Sequence, residues 1–153
     1  MKVLVQRVQR AEVRVGGAVV GAIGAGLLVL LGVERDDDEN EARALADKTV
    51  DLRIFPDDRG RMNRSVRECG FGALVVSQFT LAGSTRRGRR PSFAGAAEPA
   101  VAKPLYEAYV GQVRARDVRV ATGVFGAMME VESVNDGPVT LLLDPATGRG
   151  TSS

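Results

Sequence analysis

The chain reads as a single α+β domain: a strongly curved, mostly antiparallel or mixed β-sheet, barrel-like, with two main helices packed on it. Three observations predict this. Apolar runs of strand length recur along the chain, bounded by Gly, Pro or Asp. Two segments space their apolar residues at helical intervals behind N-terminal start signals. The length of 153 residues, 44% of them apolar, suits one domain with a sizeable core.

The elements follow in order. Lys2 to Val8 is rich in β-formers, and the period of two places Val3, Val5 and Arg7 on one side. Ala11 to Val15 alternates as well, and Gly16-Gly17 is a hairpin signal leading to Val19-Val20. Leu27 to Val33 is a continuous run of strand length and predicts a buried central strand. Asp38 can cap the next helix, with Glu41 completing a capping box. Ala42, Leu45, Ala46 and Thr49 then give the apolar face. Leu52 to Phe55 is a short strand ended by Pro56 and the turn Asp57-Asp58-Arg59-Gly60. Ala73 to Phe79 is a second buried strand. Leu81 to Ala97 is a long polar loop rich in Arg and Gly, of a length usually reserved for function or mobility. Pro99 can open the second helix, continued by Leu105, Tyr109, Gln112 and Val113, while Pro104 inside it predicts a kink or a late start. Val118 to Val120 is a short strand, and Val131 to Val134 with Val139 to Leu143 close the sheet. Residues 145–153, rich in Gly, Ser and Thr, read as a disordered tail.

Composition excludes several kinds of chemistry. The chain has no histidine and one cysteine, Cys69. That removes the commonest general base, a Cys/His metal site, and any Ser-His-Asp or Cys-His nucleophile. No metal and no organic cofactor is indicated. Catalysis must draw on hydroxyls, backbone dipoles, carboxylates or Lys, or on the substrate itself. Ala25 to Val33, the longest apolar stretch, is too short to span a bilayer, and Met1-Lys2 opens on no signal-peptide layout. With a single cysteine, this suits a cytoplasmic protein. The net charge is only +2, but it is unevenly placed: Asp36 to Asp38 is acidic, and Arg86, Arg87, Arg89 and Arg90 are basic.

Two stretches carry the functional signal. Asn135-Asp136-Gly137-Pro138-Val139-Thr140 breaks two apolar runs with a proline that has no N–H for a sheet ladder. X-Pro is also the bond type in which a cis peptide is cheap. A cis bond there would aim the Gly137 carbonyl into whatever lies in front. The same residues equally suit a tight hairpin turn. The other stretch is Ser77-Gln78-Phe79-Thr80-Leu81, at the end of an apolar strand, where catalytic groups often sit.

Together these two motifs resemble the D-aminoacyl-tRNA deacylase family. The similarity extends to Gln6-Arg7-Val8, to Gly24 through Val33, to Arg53-Ile54-Phe55 and to Arg90-Pro91-Ser92-Phe93. It covers Met1 to Asp144, so that 1–144 is expected to form the deacylase-like domain. Pro104 and the tail are the departures. The resemblance implies hydrolysis of the ester joining a D-amino acid, or glycine, to the 3′-terminal adenosine of tRNA. It implies a homodimer with sites at the subunit interface, and a cis Gly137-Pro138 element entering the partner's pocket to exclude L side chains. Steric exclusion suits the task, because D and L isomers carry the same groups and attractive contacts separate them poorly.

Each residue has a plainer reading beside the functional one. Thr80 is a nucleophile or a positioner, or a strand-end Thr serving local backbone. With no base to activate it, substrate-assisted hydrolysis through the ribose 2′-hydroxyl is favoured, with the N–H groups of Phe79 and Thr80 as the oxyanion hole. Ser77 and Gln78 alternate on the strand, so only one is expected to face the substrate. Gln78 is the candidate, and Ser77 can be structural. Phe79 can stack on adenine or pack in the core. Arg7 needs acceptors, supplied by carbonyls near Gly137-Pro138, with Asn135 in support, or it is an exposed edge-strand charge. Arg86, Arg87, Arg89 and Arg90 can hold acceptor-stem phosphates or be solvated surface. Cys69 reads as structural, and Met128 and Met129 as core or pocket wall. The competing functions are a non-catalytic tRNA-binding module and a hydrolase of free D-amino-acid esters.

Overall fold

The computed structural model describes residues 1–145. Most of the expected tail lies outside the described residues. The organising element is β1 (Lys2–Val15), whose fourteen residues are hydrogen-bonded along both edges. On one edge lie β2 (Ala18–Ile23) and β3 (Gly26–Gly32), both antiparallel to β1. Val8 faces Gly26 and Ala11 faces Ile23, three residues on along each strand. β2 and β3 therefore act as one strand broken at Gly24-Ala25. The other edge of β1 is covered by β8 (Glu130–Leu143). The two short runs expected in Lys2–Val8 and Ala11–Val15 are thus one strand.

Beyond β3 the sheet turns parallel. β6 (Gly72–Ser77) pairs with β3, and β7 (Arg119–Thr122) pairs with β6. The crossovers carry the helices α1 (Glu39–Asp51) and α2 (Pro99–Ala115), which pack on each other and on one face of the sheet. Leu27, Val29, Leu31, Ala73 and Val75 face the helices, while Leu28, Leu74 and Val76 join a second cluster inside the curve with Val8, Ala11 and Val13. Burial on both faces is the usual state of parallel strands. The sheet curls until β2 reaches β7. Gly21 sits where a Cβ would collide with the Thr122 carbonyl, so only glycine permits this approach. The result is the nearly closed, mixed, barrel-like sheet with two helices that the sequence predicts.

Local chemistry explains the helices. Asp38 accepts from the Glu41 N–H at 2.8 Å and caps α1, and Ala42, Leu45, Ala46 and Thr49 are all buried. Between the helices, Tyr109 donates to Thr49 Oγ1 at 2.7 Å, and Thr49 in turn donates to the Leu45 carbonyl at 2.7 Å. Burial pushes the Tyr109 phenol up, holding it neutral. At the rim of this contact, Gln112 and Arg116 donate to Asp47 and hold its carboxyl below the usual range.

Four expectations are corrected. The strand expected over Leu52–Phe55 begins only at Phe55: α1 runs to Asp51 and the chain must turn first. β4 (Phe55–Pro56) then pairs with β5 (Met62–Arg64), and it ends at Pro56 as expected. The strand expected to reach Phe79 stops at Ser77. Its neighbour β3 ends at Gly32, the Gln78 N–H makes the last ladder bond to Leu31 at 2.8 Å, and Phe79–Ala82 coils into a 3-10 helix. α2 starts at Pro99, not late. Pro104 lies inside it, at the cost of one bond to the Ala100 carbonyl. The short strand expected at Val118–Val120 occupies Arg119–Thr122.

Tyr109→Phe should cost about 1–2 kcal/mol, because buried Thr49 Oγ1 loses its donor. Urea unfolding checks this as a lower midpoint at unchanged slope.

Candidate active site

The end of β6 opens onto a cavity of about 640 Å³. Ser77, Gln78 and Phe79 line one side. Phe93 with Ala96-Ala97 lines the second, and Phe125 to Met129 the third. The walls are mostly apolar. Residues 94–97 are stitched to the segment that follows β3 through Arg35 N–H to Gly95 O at 3.1 Å and Ala97 N–H to Val33 O at 3.0 Å. Phe79 and Phe93 meet edge to face, with centroids 5.2 Å apart. Gly83 allows this closure, since a Cβ there would lie 2.8 Å from the Phe93 ring and 2.9 Å from the Thr80 carbonyl.

Because the strand stops at Ser77, period two no longer separates its neighbours. Ser77 and Gln78 both line the cavity, contrary to the expectation that only one would. Phe79 is 56% exposed and is not a core residue. The turn also folds Gln78 back on Thr80: Gln78 Nε2 donates to Thr80 Oγ1 at 2.5 Å. At the start of a helix the first N–H groups have no carbonyl within the helix, and here these belong to Phe79 and Thr80. The next bonds run from Leu81 N–H to Gln78 O at 3.2 Å and from Gly83 N–H to Thr80 O at 3.0 Å.

A second cluster lies on β8. Thr140 faces Gln6 and Asn135 faces Val8, so residues 136–139 bulge out opposite the single residue Arg7. The Gly137-Pro138 bond in this bulge is cis. Both flanks of the bulge pair with β1, so the motif is no hairpin turn and the two expected strands are one. Arg7 is 12% exposed. Its Nε donates to the Asp136 carbonyl at 3.2 Å and lies 3.2 Å from Asp136 Oδ2, while Nη1 donates to the Ile54 carbonyl at 2.7 Å. It is therefore not an exposed edge-strand charge. Asn135 closes the bulge by accepting from the Val139 N–H at 3.2 Å and donating to Thr140 Oγ1 at 3.0 Å. Gly137 has φ +124°, and a Cβ there would fall 3.1 Å from Arg7 Nη2. Gly137 and Pro138 are not among the residues lining the cavity of their own chain.

Arg86, Arg87, Arg89 and Arg90 form the exposed tip of a loop pinned at its base by two Ser84–Ser92 backbone bonds of 2.8 Å. None of the four guanidiniums is ion-paired among the described residues. The loop leads from the Thr80 turn to Phe93, so the basic tip is tied to the cavity. Among the described residues, no group of three or more His, Cys, Asp or Glu side chains is placed to share a metal ion.

The model of the family described as D-Tyr-tRNA(Tyr) deacylase matches residues 4–144. The chain belongs to this family. It is 62% identical over 144 residues to the D-aminoacyl-tRNA deacylase of Anaeromyxobacter dehalogenans (strain 2CP-C), covering 94% of this chain and 97% of that one. It is 60% identical over 149 residues to the D-aminoacyl-tRNA deacylase of Roseiflexus sp. (strain RS-1), covering 97% and 96%. Among solved structures, the c-Myc DNA Unwinding Element Binding Protein superposes with a TM-score of 0.88 at 39% identity, over 94% of this chain and 98% of that one. A probable eukaryotic D-amino acid tRNA deacylase superposes at 0.80 with 21% identity, over 93% and 97%, and speaks to the fold alone. The family places the chain among hydrolases acting on ester bonds.

Sequence reasoning missed Phe93 and residues 125–127 as parts of the site, while Met128 and Met129 stand in its wall, one of the two places expected for them. Phe93 had a signal, since it closes the Arg90-Pro91-Ser92-Phe93 motif. Residues 125–127 had none. Arg7→Ala should destabilise the protein by about 2–3 kcal/mol, because two partly buried carbonyls lose a charged donor. Hydrogen exchange should show faster exchange at Val139, whose N–H is held within the bulge that Arg7 secures.

Proposed function

We propose that this chain hydrolyses the ester between a D-amino acid, or glycine, and the 3′-terminal adenosine of tRNA, spares L-aminoacyl-tRNA, and does so in the cytoplasm as a metal-free homodimer. The observation that carries this reading is the Ser77–Thr80 turn at the cavity: Ser77, Gln78 and Phe79 line it, the first N–H groups of the turn have no partner within its helix, and the basic loop leads on from it to Phe93, a further lining residue. Adenine fits the apolar cavity against Phe79. The ester carbonyl then lies at the N–H groups of Phe79 and Thr80, which receive the developing oxyanion. One such donor contributes about 3–4 kcal/mol. Gln78 fixes the Thr80 hydroxyl as a positioner. The ribose 2′-hydroxyl orients the attacking water, since the chain has no histidine to act as base.

Two features support the dimer. Among the described residues β8 pairs only with β1, so its outer edge is open, and Val131, Leu141 and Leu142 on it are exposed. The Gly137-Pro138 bulge is built as a rigid unit yet does not line its own cavity. In a two-fold dimer the partner subunit's Gly137 can reach this cavity and occupy the space an L side chain needs. Glycine, with no side chain to exclude, is accepted.

The test is deacylation of matched D-Tyr-, L-Tyr- and Gly-tRNA by the purified protein with chelator present. Loss of D-Tyr and Gly with L-Tyr spared is expected. Loss of all three would overturn chiral exclusion, and tight tRNA binding without turnover would make the protein a binding module. Thr80→Ala should retain activity within about tenfold of wild type, as a positioner's loss costs one modest hydrogen bond. Abolition with accumulation of no acyl-enzyme in the variant, against a burst in the wild type, would make Thr80 the nucleophile.

A further inference from the structure

The β4–β5 hairpin carries charge that the fold does not use. Its turn is built around Asp57, whose Oδ1 accepts from the N–H groups of Arg59 at 2.8 Å and Arg61 at 3.0 Å, and whose Oδ2 accepts from Asn63 Nδ2 at 3.2 Å. The backbone donors at Arg61 and Arg59 hold the Asp57 carboxyl below the usual range, so it stays ionised within its own turn. Asp58 is taken by Arg64 at 2.7 Å, and Arg53 donates to the Asn63 carbonyl at 3.0 Å and to the Asn63 side chain. Two guanidiniums remain. Arg59 and Arg61 flank Gly60 at the exposed tip, and neither is ion-paired among the described residues. Beside them is an open polar groove of about 500 Å³. Glu68 also lines it and is the one acid there that neither builds the turn nor pairs with Arg64.

The hairpin is also fixed in place relative to the β8 bulge. Its base begins just after Ile54, whose carbonyl accepts from the same Arg7 guanidinium that holds Asp136. Bulge and hairpin are thus clamped together through one side chain. If the bulge enters a partner's cavity, as proposed above, the hairpin arrives beside that cavity with it. The owner of the cavity already brings Arg86, Arg87, Arg89 and Arg90 to the site on its own loop. An RNA strand ending in the cavity would then meet basic groups from both subunits.

We propose that Arg59 and Arg61, at the tip of the β4–β5 hairpin, form a second phosphate-binding surface for the acceptor end of tRNA, supplied by the subunit that does not own the cavity. This rests on the deacylase reading and on its dimer. Phosphate contacts of this kind position a strand without reading its sequence, and each adds to the salt dependence of binding.

The experiment compares wild type, R59A/R61A and R59K/R61K. Binding of uncharged tRNA is measured across a salt series, and turnover is measured on D-Tyr-tRNA and on D-tyrosyl-adenosine, an ester with no phosphates. The Ala pair should weaken tRNA binding several-fold and lower the slope of log K against log salt by about 2. The ratio of kcat/KM on tRNA to that on the nucleoside ester should fall by a similar factor, through KM. The Lys pair, which keeps the charges, should recover most of both. An unaltered salt slope and ratio in the Ala pair would overturn the proposal. So would a Lys pair as weak as the Ala pair. A wild type that turns over neither ester would instead sink the deacylase reading, while the tRNA salt series would still decide whether these two arginines touch RNA.

Discussion

A single guanidinium joins the parts of this molecule that matter. Arg7 sits in the middle of β1 with most of its side chain buried, and a cation so placed must find acceptors. It finds them in the carbonyls of Asp136 and Ile54 and in the Asp136 carboxylate. The β8 ladder opens directly opposite Arg7, so the guanidinium fills the gap left by the missing pairs and holds the bulge in shape. Lysine could not span the same acceptors, because it lacks the planar fork. The bulge, the start of the β4–β5 hairpin and the central strand therefore move as one body.

The rest of the sheet makes this possible. β1 is paired on both edges, so its register is fixed twice, by β2/β3 and by β8. Its neighbour β3 is buried on both faces and passes register on to β6, whose early end creates the Ser77–Thr80 turn. The cavity is thus a consequence of strand lengths: β3 stops at Gly32, β6 has no support past Gln78, and the chain coils there. The two halves of the candidate site, turn and bulge, sit on different strands of one rigid frame but do not meet within the chain.

What was legible in the sequence depended on how local its cause was. The cap at Asp38, the apolar face of α1 and the buried run of β3 rest on periodicity and side-chain chemistry within a few residues, and all were readable. The end of β6 was not, because it is set by where β3 ends, a partner distant in sequence. Val131–Val134 and Val139–Leu143 looked like two strands because nothing local says that both flank the same partner strand. Phe79 suited both stacking on adenine and packing in the core, and only the coil after Ser77 decides that it stands open. Of the site, both motifs were legible as unusual sequence, and the carbonyl acceptors expected for Arg7 lie where Asp136 places one. The aromatic wall around Phe125 was not, as it is assembled by a loop with no distinctive pattern.

The central claim is that turn and bulge from two different subunits complete one catalytic centre. Mixed dimers test it most directly. One subunit would carry Thr80→Pro, which removes one of the two oxyanion N–H groups and should cut turnover by about 10²–10³; the other would carry Gly137→Ala, which distorts the bulge and should admit L-Tyr-tRNA. If each centre is shared, a heterodimer holds one centre with both lesions and one intact, so an excess of the Thr80→Pro subunit abolishes the L-Tyr-tRNA deacylation of the Gly137→Ala subunit while D-Tyr-tRNA deacylation persists. If each subunit builds its own centre, the Gly137→Ala centre is the same beside any partner, and L-Tyr-tRNA deacylation persists in the heterodimer.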